Sequence, residues 1–173
     1  MDKITLPTQE QINTILKASV ATPVLKAYPA GARVGPTIVI QNLSTVLTDT
    51  AVRNAVAALQ IQLDRDWQPQ WGTTANLLFY TRSQTIPNNY WPLYIQDTSD
   101  VSGALGYHTE TNTGRPFGRV FAKTAAQYGY SWTVTLSHEL LEMIADPFVN
   151  LTVFYQTNYK TGRIYAFEVG DPV

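Results

Sequence analysis

His138, Glu139, Glu142 and Asp146 all fall within one largely apolar stretch, VTLSHELLEMIAD (134–146), which is closed by Pro147. An imidazole and three carboxylates, with no lysine or arginine among them, can hold a cation or pass a proton. On a helix with His138 at zero, Glu139 lies at about 100°, Glu142 at about 40° and Asp146 at about 80°. Leu136, Leu140, Leu141, Met143 and Ile144 fill the arc from roughly 140° to 300°. The ionisable side chains therefore share one narrow stripe. Like-signed carboxylates this close cost energy unless a proton or a cation relieves them. A solvated face relieved by an arginine from elsewhere, such as Arg115, Arg119 or Arg163, is the structural alternative.

His138 and Glu142 stand at i, i+4, so both side chains project toward a single point above the helix. A helical HExxH zinc site uses this spacing, with the glutamate after the first histidine as base. Here the second ligand position is a glutamate, giving HExxE, with His138 and Glu142 as metal ligands and Glu139 as general base. A zinc site needs at least three protein ligands. The chain has 2 histidines, so carboxylates must complete the set. Glu168 and Asp171, in FEVGDPV, are the candidates, and either could bind while the other supports. Zinc is the metal this spacing suggests, while an oxygen-rich set also suits calcium or another divalent cation.

Three further residues are candidates for the surroundings. Asp146 is placed to support the ligands from behind. His108, in GALGYHTE, reads first as a surface or hydrogen-bonded core residue; the alternative puts it on a strand that aligns a substrate beside the helix. Tyr107 is a candidate for that strand and, with Tyr130, for steadying an oxyanion.

The elements that must position these groups can be read from pattern. Residues 8–20 fit a short amphipathic helix, and TIVIQN (37–42) a buried strand. AVRNAVAALQIQLDRDW predicts a helix capped by Thr48 or Asp49 and ended before Pro69 and Gly72. NLLFYTR (76–82), WPLYIQD (91–97), GALGYHTE (103–110) and GRVFAKT (118–124) predict strands. A helix over 132–146 and a hairpin from LTVFYQTNY and GRIYAFEV complete the order. Trp67, Trp71, Trp91 and Trp132 are expected in the core. The fold class is α+β: one domain over 1–173, with a mixed β-sheet, a buried metal-site helix and a C-terminal β-hairpin.

Composition narrows the function classes. A net charge of −1 and the lack of any basic run argue against nucleic acid or an anionic membrane as partner. With Cys 0, disulfides, thiolate metal sites and cysteine nucleophiles are excluded. No start typical of a secretion signal and no apolar run long enough to span a membrane appear, which favours a cytoplasmic or virion location.

The chain resembles a bacterial and phage group of zincin-type metallopeptidases on SHELLEMIADP (137–147) and EVGDPV (168–173). QLDRDWQPQWG (62–72), WPLYIQD, GALGYHTE and GRPFGRVFA (114–122) are similar to blocks of the same group, so the likeness covers most of the chain. HE-L-x-E followed by DP, with a later E-x-x-D, also resembles the plant phosphate-induced, exordium-like proteins. The resemblance implies a zincin-like domain, His138 and Glu142 as ligands, Glu139 as base, and Glu168 or Asp171 completing the site. It implies a zinc-dependent hydrolase that cleaves a peptide or protein substrate by metal-activated water. The alternative is a non-enzymatic structural or assembly protein, such as a phage virion component contacting other virion proteins, with a structural or vestigial metal site.

Overall fold

The computed structural model describes residues 35–158 and 160–170; the expected helix over 8–20 and the candidate ligand Asp171 lie outside these residues. The described part is α+β. A strand β1 (Thr37–Asn42) leads into helix α1 (Asp49–Gln62), and β2 (Asn76–Tyr80) and β3 (Trp91–Gln96) follow. β4 (Gly106–Glu110) and β5 (Pro116–Phe121) precede a short helix and the helix that carries the polar stripe, Trp132–Ala145.

The strands form a five-stranded sheet in the order β2-β1-β3-β5-β4. β1 pairs in parallel with β2 and β3, and β3 with β5, whereas β4 runs antiparallel to β5 and closes the sheet at one edge. A tight turn between β4 and β5 makes this reversal, with Gly114 at φ 74 and Thr111 N–H donating to the Arg115 carbonyl. Parallel pairing needs long crossovers, while a hairpin needs only a few residues. Hence the sole antiparallel pair of this sheet joins its two closest consecutive strands. A second, two-stranded sheet is the expected hairpin, β6 (Thr152–Gln156) with β7 (Gly162–Ala166).

Thr48 caps α1 as expected, its hydroxyl accepting from Ala51 N–H. The chain does not leave the helix before Pro69. It widens into a π-helical turn over Leu63–Trp67 and restarts as α2 (Gln68–Trp71), ending at Gly72 with φ 70. Proline is tolerated there because a first helical turn has no acceptor waiting for its missing N–H. The wider turn keeps Leu63 and Trp67 both buried. Trp71 is different from the expectation: it is 46% exposed and stacks on Trp67 with centroids 4.6 Å apart. Trp91 and Trp132 pack partly buried against the core.

Residues 122–124, expected to continue a strand, instead open the helix α3 (Ala122–Gln127); the polar-stripe helix is then α4 (Trp132–Ala145). Lys123 and Thr124 N–H both donate to the Asp97 carbonyl, which turns the chain off the sheet. α4 is capped by Ser131, whose hydroxyl accepts from Thr133 N–H. Its apolar arc, Leu136, Leu140, Met143 and Ile144, joins Ile38, Ile40, Leu93, Ile95 and Val120 of the sheet in one core with Val52, Val56 and Leu59 of α1. No helix among the described residues is long and apolar enough to cross a membrane.

Leu140 is fully buried in that core, on the helix face opposite to the stripe. Leu140→Ala is expected to lower unfolding stability by about 2–5 kcal/mol in chemical denaturation, the range for an unrelaxed core cavity.

Candidate metal centre

Glu139, Glu142 and Asp146 are all buried, at 5%, 4% and 4% exposure, so the stripe does not face water. It faces β4. Successive strand residues alternate between faces, which turns Gly106 and His108 toward α4 and Tyr107 away from it. Contact is close: a Cβ at Gly106 would meet Glu139 Oε1 at 2.6 Å and Thr135 Cγ2 at 2.8 Å. Opposite His108 in register is Gly118, where a Cβ would meet Leu93 Cδ1 at 2.5 Å. These two glycines let the strand settle onto the helix.

The carboxylate of Glu142 lies between two imidazoles. His138 Nε2 is 3.2 Å from its Oε1, and His108 Nδ1 is 3.5 Å from its Oε2. His108 Nδ1 is also 3.8 Å from Glu139 Oε2. The other ring nitrogen of His108, Nε2, sits 3.2 Å from the Asp146 backbone carbonyl and donates to it. Asp146 does not point its carboxylate into this group. Its side chain accepts from Asn150 N–H and Leu151 N–H, fixing the turn after α4. In that turn Val149 has φ 51, a left-handed conformation that costs a β-branched residue about 1–2 kcal/mol.

The expected site residues are thus partly brought together and partly reassigned. His138, Glu139 and Glu142 form one group whose ligand atoms lie within 4.8 Å of one another, and His108, Glu142 and Glu168 form a second. Glu142 belongs to both. Glu168 reaches the site because its neighbours are anchored: Phe167 meets Trp71 edge-on, and Val169 packs against the core. His108 is a core residue, as its first reading held, but it is turned toward the carboxylates. Tyr107 donates its hydroxyl to Asp100, and its ring lies against Phe117 and Phe121, away from the stripe. Tyr130 is 61% exposed at the rim of the cleft.

None of the three candidate arginines relieves the stripe: two are engaged elsewhere and the third lies on the hairpin. Arg115 donates to the Tyr90 and Pro87 carbonyls, and Arg119 pairs with Asp100. Arg163 lies on the hairpin strand β7. Histidine supplies the positive charge instead. Burial works against protonation of His108, yet Glu139 and Glu142 beside it outweigh burial and lift its pKa to about 10. Burial would raise Glu142, but the imidazoles of His108 and His138 beside it hold it down at about 2. Burial raises Glu139 above the ordinary carboxylate range, against the pull of His108 and His138.

Two observations bear on whether a metal fits. Glu142 Oε1 is a buried atom with no hydrogen-bond partner, although His138 Nε2 lies 3.2 Å away. An orphaned buried carboxylate oxygen is costly unless a cation meets it. Ligand atoms around a tetrahedral ion with bonds of about 2.0–2.1 Å stand roughly 3.4 Å apart. The 3.2 and 3.5 Å separations about Glu142 match that spacing. The residues present could therefore hold a metal ion.

Above them opens a cleft of about 560 Å³, lined by Gly103–His108 on one side and by Val134, Thr135, His138 and Glu139 of α4 on the other. Phe121 N–H bonds to the Leu105 carbonyl, and Thr111 N–H to the Arg115 carbonyl. In an antiparallel ladder this parity directs odd-numbered residues of β4 toward β5, leaving the N–H and C=O of Gly106 and His108 on the open edge. Pro116, which lacks an N–H, falls opposite Glu110 at one of the positions that need none. The chain matches no protein family, no curated protein and no solved structure.

Two outcomes are expected from this geometry. Metal-free protein should lose stability between pH 6.5 and about 10, because a His108 pKa raised on folding stabilises below its ordinary value and ceases to as it deprotonates. The depressed Glu142 acts in the opposite sense, its contribution fading from pH 4.5 down to about 2. Thermal melts in chelator across this range check both, and His108→Gln should start lower at pH 6.5 and fall less steeply. Gly106→Ala should cost about 1–3 kcal/mol by overpacking against Glu139, again read by denaturation.

Proposed function

We propose that the protein is a metal-dependent peptidase of zincin-like type, with zinc as its metal. The observation that carries this reading is the His138–Glu139–Glu142 group, its two glutamates buried and one carboxylate oxygen orphaned, at the foot of a cleft walled by an antiparallel edge strand. An extended peptide could add to the free edge of β4, its main chain meeting Gly106 and His108 and its scissile bond lying over α4.

A divalent ion in such a site lowers the pKa of water and polarises the peptide carbonyl. His138 and Glu142 would hold it from the helix, while Glu168 stands beyond Glu142, in the group that Glu142 shares with His108. Glu139 does the proton work. Its carboxylate is buried, its pKa is raised, and it stands one residue past the ligand His138. It takes a proton from the attacking water as oxygen adds to the carbonyl carbon. As the C–N bond breaks, it returns that proton to the leaving amine, releasing an amine and a carboxylate. No covalent enzyme intermediate forms.

A second reading is supported by Glu168. An ion bound by Glu168, Glu142 and His108 would tie the segment after the hairpin to α4 and β4, as a structural clamp does. Calcium or another divalent cation suits that role as well as zinc. The protein would then be a structural or assembly component, for instance of a virion.

Glu139 separates the two. Elemental analysis after metal loading and dialysis is expected to find zinc in wild type and in Glu139→Gln, but not in His138→Ala or Glu142→Ala. Glu139→Gln is expected to lower peptide hydrolysis by roughly 10²–10⁴-fold, measured on a mixed peptide library. Metal retention with no hydrolysis by wild type supports the clamp. Absence of metal from wild type, with both alanine variants folded, overturns both readings.

A further inference from the structure

We propose that His108 is itself a metal ligand, binding through Nδ1, and that it reaches the centre from the edge strand rather than from the helix motif. This rests on the metal reading proposed above and adds a ligand on the other side of Glu142, in the group that Glu142 forms with Glu168.

The ring's orientation carries the argument. Nε2 lies 3.2 Å from the Asp146 carbonyl, which can only accept, so that nitrogen carries a hydrogen. The other ring nitrogen, Nδ1, faces Glu142 Oε2 at 3.5 Å and Glu139 Oε2 at 3.8 Å. An imidazole nitrogen and two carboxylate oxygens this close need a cation among them, which in the metal-free protein is the proton that His108 holds on Nδ1. A bound metal ion is such a cation, and the 3.5 Å separation is close to the roughly 3.4 Å between neighbouring ligands on tetrahedral zinc. Glu168 brings a carboxylate oxygen within 4.8 Å of ligand atoms of His108 and Glu142.

The support behind the ring has the form that metal-binding histidines use. Such a histidine donates its remote N–H to a carbonyl or carboxylate that fixes tautomer and aim. Here the carbonyl is held in turn, because the Asp146 carboxylate is bonded by Asn150 N–H and Leu151 N–H. His108 is 9% exposed, and no water-facing role accounts for it. Gly118, opposite it in register, leaves the space beside the ring to the Leu93 side chain.

The two histidines would then bind through different nitrogens, His108 through Nδ1 and His138 through Nε2. Since His108 lies on the strand with the open edge, metal loading would also fix that edge against the helix.

The test uses the full chain with isotope-labelled imidazole nitrogens, titrated with zinc and with cadmium and followed by NMR. With only 2 histidines, His138→Ala assigns the spectrum. The expected result is a metal-dependent shift at His108 Nδ1, with direct coupling to cadmium, while Nε2 keeps its proton. In parallel, His108→Ala should weaken zinc binding by more than about 100-fold in chelator competition, since loss of outer support alone costs 10–100-fold. If that variant fails to fold, the wild-type spectrum decides. Metal binding that shifts only His138, with His108→Ala matching wild type, overturns this inference and leaves the peptidase reading intact. No shift at either histidine overturns both.

Discussion

The ionised carboxylate of Glu142, buried at 4% exposure, is the constraint around which the rest of the site is arranged. A lone buried charge would cost several kcal/mol, so the protein must supply what water would have supplied. His138 does so from one turn earlier on the same helix, and His108 from across the fold. The second of these contacts has structural consequences. It requires β4 to lie directly on α4, which requires Gly106 where the strand crosses Glu139 and Gly118 where it meets β5. It also requires the ring to be held from behind, and that sets the Asp146 carbonyl and the capped turn through Leu151. An antiparallel edge strand, two glycines and a strained turn at Val149 therefore depend on one carboxylate.

This explains why the polar stripe coexists with a good core. The apolar arc of α4 faces the sheet interior and supplies packing that does not depend on the ionisable residues. The stripe is free to carry interactions that contribute little net stability, because desolvation offsets most of what a buried ion pair gains. Removing one partner is a different matter, since it would leave a charge without compensation. Such arrangements persist where the charges have a use beyond holding the fold.

Much of the architecture was legible because it rests on local signals. Val52, Val56 and Leu59 at helical spacing, Thr48 as a cap and the β-branched run of β1 all specify their elements within a few residues. The HExxE spacing likewise implies that His138, Glu139 and Glu142 lie together, because one helix turn fixes their separation, and their ligand atoms do lie within 4.8 Å of one another. Misread features depended on contacts distant in sequence. Residues 122–124 read as strand, but the Asp97 carbonyl draws the N–H groups of Lys123 and Thr124 off the sheet. The π-helical turn at Leu63–Trp67 answers to the burial of Trp67, not to any local preference. His108 is 34 residues from Glu142, and nothing in GALGYHTE indicates that α4 will pass beneath it. One signal was present: glycine at 106 and histidine at 108 share a strand face, and a glycine in a strand often marks close approach by another element.

Glu139 and Glu142 show why spacing alone could not assign roles. They lie three residues apart on one helix, are equally buried and carry the same functional group. Their proton affinities nevertheless move in opposite directions. Burial acts on both, and for Glu139 it prevails. For Glu142 it is overcome, because each carboxylate oxygen has an imidazole within 3.5 Å. A group kept ionised is suited to holding a cation, and one whose proton affinity is raised is suited to taking and returning a proton. The helix presents two like carboxylates; His138, one turn before Glu142, and His108, nearer to Glu142 than to Glu139, make them unlike.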